Sequence, residues 1–284
     1  MDEYITYVTG KLPIIICSPH GGYIDVTKIP TRKEKKKCSN ILGLCHKINK
    51  QKISFVTTID GPMSDIVYIL YNTIFNITNR NPYLIVNNVK RGDIDTNRPI
   101  SLGTENDLAE NIWNMYFDSI KDAIKKIKNK FGKGLLIDLH AYDTRPTNNR
   151  EIISVGYGIQ SKFLLDFEKT GNISPQLLKE LSITQLLTSN KKKDIKNLLY
   201  GKDSLGSLMC DLDVNAYPSR KYNQMKNITN FCYYRGGYTT QIFKNIIPTI
   251  QLEFPQQYLK ESVIEEKVIK VAIAILLFMY NNGI

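Results

Sequence analysis

Short β-branched apolar runs alternate along the chain with longer segments whose apolar residues recur at helical spacing. The short runs predict strands, which lie at Leu12–Cys17, Ile53–Ile59, Tyr83–Val86, Leu135–Leu139, Ile152–Tyr157 and Ile246–Phe254. The longer segments predict helices, which lie at Met63–Phe75, Leu108–Phe131, Ser174–Leu187 and Glu261–Tyr280. This alternation predicts an α/β fold in which a mostly parallel sheet carries helices on both faces.

The pattern also bears on domain organisation and location. No Pro/Gly/Ser-rich linker divides the chain, so residues 1–284 are predicted to form a single domain. The most apolar stretch, Val271–Tyr280, is much shorter than the roughly 20 residues of a spanning helix, and the acidic N-terminus lacks a signal-peptide pattern. The five cysteines are odd in number and include no CxxC pair. We therefore expect no membrane partner and a cytoplasmic, reducing location.

Charge adds a preference for anionic partners. The chain has 38 Lys and Arg against 27 Asp and Glu, a formal net charge of +11. An excess of this size attracts anions, but it does not distinguish a nucleic acid from a small acidic substrate.

Histidines and acids follow several of the predicted strands. In open α/β sheets, ligands bind beyond the carboxyl ends of the strands. His20 follows the first predicted strand, Asp60 the second and His140 the fourth. Such residues at one sheet edge suit a divalent metal, with Zn²⁺ the first choice. The residues alone leave the third ligand open between Asp60 and Asp25, which lies five residues past His20.

Other polar residues near the strand ends have candidate roles. Asp138 shares a strand face with His140 and could orient a histidine. Glu253 lies inside an apolar strand, which indicates either a general base acting on water or a solvated acid on an edge strand. Asn97 and Arg98 follow the third predicted strand, and arginine suits a substrate carboxylate unless it is simply a surface residue.

Taken in order, these motifs resemble the N-formylglutamate amidohydrolase family. The matching segments are Ser18-Pro19-His20-Gly21-Gly22-Tyr23, Ile29-Pro30-Thr31-Arg32, Arg91 with Asp95-Thr96-Asn97-Arg98, Leu136-Ile137-Asp138-Leu139-His140 and Gln251-Leu252-Glu253. The resemblance implies a three-layer α/β/α fold with a mostly parallel mixed sheet, of the phosphorylase/hydrolase-like type shared with zinc carboxypeptidases. It also implies hydrolysis of the amide bond that joins an acyl group to an acidic amino acid.

The resemblance also implies roles for individual residues. These are metal ligation by His20 and His140, catalysis by Glu253, contact with the substrate carboxylate by Asn97 and Arg98, and contact with the reacting carbonyl or a second anionic group by Arg91. The zinc carboxypeptidases have an acidic ligand three residues after the first histidine. Tyr23 occupies that position here, so the third ligand would come from Asp60 or Asp25, and we predict Asp60.

The leading hypothesis is a hydrolase with one Zn²⁺ per chain, held by His20, Asp60 and His140. Its substrate would be a small N-acyl acidic amino acid, such as N-formylglutamate, or a glutamyl peptide. The alternative is a catalytically inactive basic protein on the same fold that binds nucleic acid or another polyanion. Nucleic acid is not favoured, because the sequence has no helix-turn-helix, zinc-finger or RNA-binding signature. The oligomeric state stays open.

Overall fold

A computed structural model describes residues 3–33, 60, 63–142, 151–187, 191–228, 233–256 and 264–284. Within them, one seven-stranded mixed sheet has the order β1-β3-β2-β4-β7-β5-β6. The strands are β1 (Ile5–Val8), β2 (Ile14–Ser18), β3 (Tyr83–Asn87), β4 (Leu135–Tyr142), β5 (Ile153–Gly156), β6 (Ala216–Tyr217) and β7 (Thr249–Pro255). Four of the six neighbouring pairs are parallel, and β1/β3 and β5/β7 are antiparallel. The predicted strand Ile53–Ile59 lies outside the described residues.

Helices lie between the strands along most of the described chain. They are α1 (Met63–Thr78), α2 (Ile100–Gly103), α3 (Asp107–Phe131), α4 (Ser161–Thr170), α5 (Pro175–Glu180), α6 (Lys191–Tyr200), α7 (Leu205–Asp211), α8 (Tyr238–Phe243) and α9 (Ile264–Asn281). The long helix α3 begins where the Asn106 side chain accepts a hydrogen bond from the Ala109 N–H, and it ends at Gly132 with φ +74°.

Strand alternation divides the apolar residues between the two faces of the sheet. In β2, Ile14 and Ile16 pack with the buried side chains of α1 and α9, whereas Ile15 and Cys17 pack with those of α3. Successive side chains of a strand point to opposite faces, so both faces of the central strands need an apolar cover. The α/β/α arrangement with a mostly parallel sheet is thus confirmed.

The face of the sheet toward α3 becomes polar where β4 and β7 run side by side. In the parallel register of these strands, Asp138 pairs with Gln251 and His140 with Glu253. The residues between them, such as Leu139 and Leu252, belong to the apolar cluster on the opposite face. One register therefore brings four polar side chains together on a single face near the carboxyl ends of both strands.

Several predicted boundaries differ from the structure. The strand predicted from Ile246 begins at Thr249, because the chain turns after α8 and Pro248 precedes the strand. The helix predicted over Ser174–Leu187 ends at Glu180, because the backbone N–H of Ser182 donates to the carbonyl of Tyr157 instead. The pattern also failed to predict the short strands β1 and β6 and the helices α2, α4, α6, α7 and α8.

The apolar stretch Val271–Tyr280 belongs to α9, whose Val271, Ala274 and Ile275 are buried in the apolar cluster that also contains residues of α1 and of the sheet. Across the described ranges, no helix combines the length and apolar character needed to cross a membrane.

The central strand β4 offers a test of the packing. Ile137 is fully buried there, so Ile137→Ala should lower the free energy of unfolding by about 2–5 kcal/mol through lost burial and an unfilled cavity. Ile77 is 52% exposed, and the same change there should alter it by no more than about 0.5 kcal/mol. Urea unfolding of both variants measures the difference. Equal losses would contradict this account of the core.

Candidate metal centre and active site

Three of the residues predicted as metal ligands meet in one buried cluster. His20 follows β2, His140 lies near the end of β4, and Asp60 lies between them. The Nδ1 atoms of His20 and His140 are 3.1 and 3.2 Å from the same oxygen, Oδ2 of Asp60. All three side chains are buried. Among the described residues, this is the one group of three or more His, Cys, Asp or Glu side chains close enough to hold a metal ion.

A tight loop positions His20. The chain leaves β2 and passes against the backbone beyond β3, where Ile24 forms an isolated parallel bridge with Val89. A Cβ atom at Gly22 would lie 2.0 Å from the carbonyl carbon of Asn88, so only glycine allows this approach. The loop thereby turns His20 toward the end of β4.

The second nitrogen of each imidazole also faces a carboxylate. Nε2 of His20 forms a hydrogen bond of 2.7 Å with Oδ1 of Asp95. Nε2 of His140 is 3.3 Å from Oδ1 of Asp138 but makes no hydrogen bond within the described residues. A neutral imidazole has one N–H donor and one lone pair, so it cannot donate from both nitrogens. Histidines that bind a metal through one nitrogen commonly donate from the other to a carboxylate.

This donor set fits a divalent metal ion. Two imidazole nitrogens and one carboxylate oxygen form a three-ligand set of the kind found in catalytic zinc sites. Ligands about 2.0–2.1 Å from a tetrahedral ion lie roughly 3.3 Å apart, close to the separations between Asp60 and the two Nδ1 atoms. His20, Asp60 and His140 could therefore hold a metal ion while Asp95 orients the His20 ring.

Arginines balance the buried carboxylates. Arg91 donates from Nη1 to Asp60 at 2.9 Å and from Nε to Asp95 at 3.3 Å, and Nη2 of Arg32 is 3.2 Å from Asp95. Burial by itself would raise the pKa values of both acids. Arg91 and His20 outweigh it and hold the pKa of Asp60 below its usual range and that of Asp95 well below. Both carboxylates are therefore ionised near neutral pH.

His140 is electrostatically coupled to the same acids. Burial disfavours its charged form, but the carboxylates of Asp138 and Asp60 overcome that effect and raise the pKa of His140 well above its ordinary value. The surroundings of this imidazole therefore favour a positive charge close to its ring.

Glu253 borders the cluster from β7. It is 7% exposed, and its Oε1 accepts a hydrogen bond of 2.9 Å from the side-chain amide of Gln251. Burial raises the pKa of Glu253 to about 8; His140 and Arg91 oppose the rise, and Asp60 adds to it. A carboxyl group that titrates near neutral pH can both accept and release a proton.

The remaining predicted residues lie in the turn after β3. The side-chain oxygen of Asn97 accepts the backbone N–H of Tyr238 at 2.5 Å, and a Cβ at Gly237 would lie 2.1 Å from that oxygen. Arg98 is 9% exposed and donates to the backbone carbonyl of Asn97. Within the described ranges, no carboxylate forms an ion pair with Arg98. Its guanidinium is thus a buried cation that can accept an anionic partner.

The structure separates the two candidates for the third ligand. Asp60 lies between the histidines, whereas the side chain of Asp25 is 64% exposed and pairs with Lys90. Asp95 and Arg32 had no role predicted from the sequence, although both lie in motifs that carry the family resemblance. The signal that could have identified Asp95 is its position beyond β3, because the predicted metal ligands also follow strands.

Comparison with known proteins gives a structural likeness alone. No protein-family model matches the sequence, and no curated protein matches it. The crystal structure of N-formylglutamate amidohydrolase from Ralstonia eutropha JMP134 is similar, with a TM-score of 0.52, 12% sequence identity and coverage of 99% of this chain and 97% of that chain. That of gene product Atu2144 from Agrobacterium tumefaciens has a TM-score of 0.44 and 11% identity, with coverage of 99% and 95%. The first likeness supports a remote fold relationship with an amidohydrolase.

Metal content tests the cluster. His20→Ala, His140→Ala and Asp60→Asn should each lose most of a bound divalent metal, because each removes one of three protein ligands. Asp25→Asn, with its exposed side chain, should retain the metal and is the matched control for Asp60→Asn. Elemental analysis after dialysis gives the metal content, and circular dichroism checks folding. Full occupancy in both folded histidine variants would rule out this site.

Proposed function

We propose that this protein is a zinc-dependent amidohydrolase that cleaves the amide bond of an N-acyl acidic amino acid, such as N-formylglutamate, or of a glutamyl peptide. The observation that carries the proposal is the buried pair of imidazoles sharing the Asp60 carboxylate, with a second carboxylate hydrogen-bonded to His20 and another 3.3 Å from His140. The fold likeness to an N-formylglutamate amidohydrolase supports the reaction class, and the sequence motifs support the substrate class.

In this proposal, His20, Asp60 and His140 hold one zinc ion per chain. The chemistry that zinc supplies when bound is Lewis-acid activation of water and of a carbonyl group. Asp95 fixes the His20 ring through its hydrogen bond to Nε2, and Asp138 lies 3.3 Å from Nε2 of His140, where its charge acts on that ring. Arg91 keeps Asp60 and Asp95 ionised, and its predicted contact with the reacting carbonyl stays a prediction.

Glu253 moves the proton. Its second carboxylate oxygen would accept a proton from the attacking water and later deliver it to the leaving amine. The Gln251 amide holds the other oxygen, which limits rotation of the carboxylate. A cation bound by the neighbouring ligands would favour the ionised form, which the base needs at the start of the reaction.

Arg98 and Asn97 would orient the substrate. The Arg98 guanidinium has the planar donor pattern that binds a carboxylate through two hydrogen bonds. Its backbone carbonyl accepts from the indole N–H of Trp113 at 3.0 Å, so this part of the turn is fixed before substrate arrives. Asn97 would contribute its amide N–H group, because Tyr238 engages its oxygen. The fold likeness and the buried polar cluster favour an enzyme over the alternative of a polyanion-binding protein.

Glu253→Gln tests the general base. The variant should keep its fold and its zinc but lose at least about a hundredfold in kcat on N-formylglutamate, with a smaller change in KM. The amide has nearly the same shape but cannot accept the proton of water at neutral pH. Asp25→Asn, at an exposed side chain outside the site, is the control and should keep its activity. Loss of zinc together with activity would make Glu253 a ligand instead.

Arg98→Met tests the carboxylate contact. Charged hydrogen bonds are worth about 1.5–3 kcal/mol, so kcat/KM should fall about 10- to 150-fold, mainly through KM. A substrate analogue whose α-carboxylate is replaced by a carboxamide should lose no further activity in this variant. Arg220→Met, at an exposed arginine paired with Asp211, is the control and should behave like the unmodified protein. If the carboxamide lowered kcat/KM by the same factor in Arg98→Met as in the unmodified protein, the substrate carboxylate would bind elsewhere.

A further inference from the structure

A polar cavity lies apart from the metal cluster. Its volume is about 400 Å³, and α5, α8 and the segment before α8 contribute to its walls. The lining residues that matter for its chemistry are Gln160, Lys179, Glu180, Arg235, Gln241 and Lys244. The proposed amide hydrolysis uses none of them.

Some of the hydrogen-bond donors in this cavity have no acceptor among the described residues. The Arg235 side chain is 15% exposed, and its Nη1 is 3.9 Å from Oε1 of Glu180, a long distance for an ion pair. In the part of the chain that the structure describes, the Arg235 guanidinium makes no hydrogen bond and the buried Nε2 of Gln241 has no partner. The Lys244 ammonium donates to the carbonyl of Lys179 at 3.1 Å, which uses one of its three N–H groups.

Glu180, the acid in the cavity, does not satisfy these donors or balance the positive charge. Both oxygens of Glu180 are engaged by Gln160, one by the backbone N–H at 2.6 Å and the other by the side-chain amide at 2.5 Å. Burial lowers the pKa of Lys244, and the charges of Arg235 and Lys179 lower it further against the opposing effect of Glu180. Three cations thus surround one carboxylate that is already hydrogen-bonded.

We propose that this cavity binds a small oxyanion, the phosphate or carboxylate group of a metabolite-sized ligand. Unsatisfied buried donors are unfavourable in a folded protein, and an oxyanion supplies several acceptors and the missing negative charge. Arg235 would bind two of its oxygens, and Lys244 and Gln241 would bind the others. A volume of about 400 Å³ lies within the range of small-molecule sites.

The cavity is joined to the candidate active site through one short segment. Arg235 lies two residues before Gly237, whose N–H donates to Gln251, and three before Tyr238, whose N–H donates to Asn97. Gln241 lies on the helix that Tyr238 begins. An anion bound to Arg235 and Gln241 would therefore hold the segment that supports Gln251 and Asn97.

Calorimetric titration of the full chain tests the site at low ionic strength, with inorganic phosphate in one arm and glutarate in the other. Arg235→Met and Lys244→Met should each weaken binding at least about tenfold. Lys221→Met, at a lysine that contacts Asn215, should not. Glu180→Gln should tighten binding, because it removes the competing negative charge, and misfolding cannot produce a gain.

Each result has a defined meaning. Binding of phosphate, of glutarate or of both that depends on Arg235 and Lys244 supports the proposal, and the tighter of the two identifies the preferred oxyanion. No binding of either anion, or binding that Arg235→Met, Lys244→Met and Glu180→Gln leave unchanged, would overturn the proposal. The latter result would assign the anion to another site, such as Arg98 or the metal cluster. Neither result depends on whether the chain hydrolyses N-formylglutamate.

Discussion

The placement of one carboxylate between two buried imidazoles is the constraint on which the rest of the site depends. Asp60 lies within hydrogen-bond distance of both Nδ1 atoms, so its negative charge must be stabilised away from water. Arg91 supplies part of that stabilisation and links Asp60 to Asp95, which in turn faces His20. Removing any member would leave a buried charge without its partner, so the network is strongly interdependent.

The parallel register of β4 and β7 is what makes this network possible. A shift of one residue would turn the side chains of one strand to the opposite face. His140 and Glu253 would then no longer share the α3 face, and Leu139 or Leu252 would enter the polar cluster. The apolar cover formed by α1 and α9 on the other face therefore fixes the register and, through it, the position of the site.

The sequence predicted the site best where a histidine or an acid lies at the carboxyl end of a predicted strand. His20, His140 and Glu253 could be predicted as neighbours because parallel strands bring their carboxyl ends to one edge. Asp60 was predicted as the third ligand, but the residues alone left Asp25 open, because whether an acid is buried or exposed depends on tertiary contacts rather than on local spacing. The end of α5 at Glu180 could not be predicted from the sequence either, because it depends on the hydrogen bond from the Ser182 N–H to the carbonyl of the distant Tyr157.

The effect of the excess positive charge on ligand binding depends on which cations are buried and which are exposed. An exposed pair such as Lys121 with Asp118 is screened by solvent and has little effect on which ligand binds. Arg98 and Arg235 differ, because their guanidiniums are largely buried and no carboxylate closer than 3.9 Å pairs with either in the described residues. A desolvated cation without a close counterion favours an anionic ligand far more than a net charge of +11 spread over a surface. The two arginines therefore mark where an acidic ligand would gain most from entering.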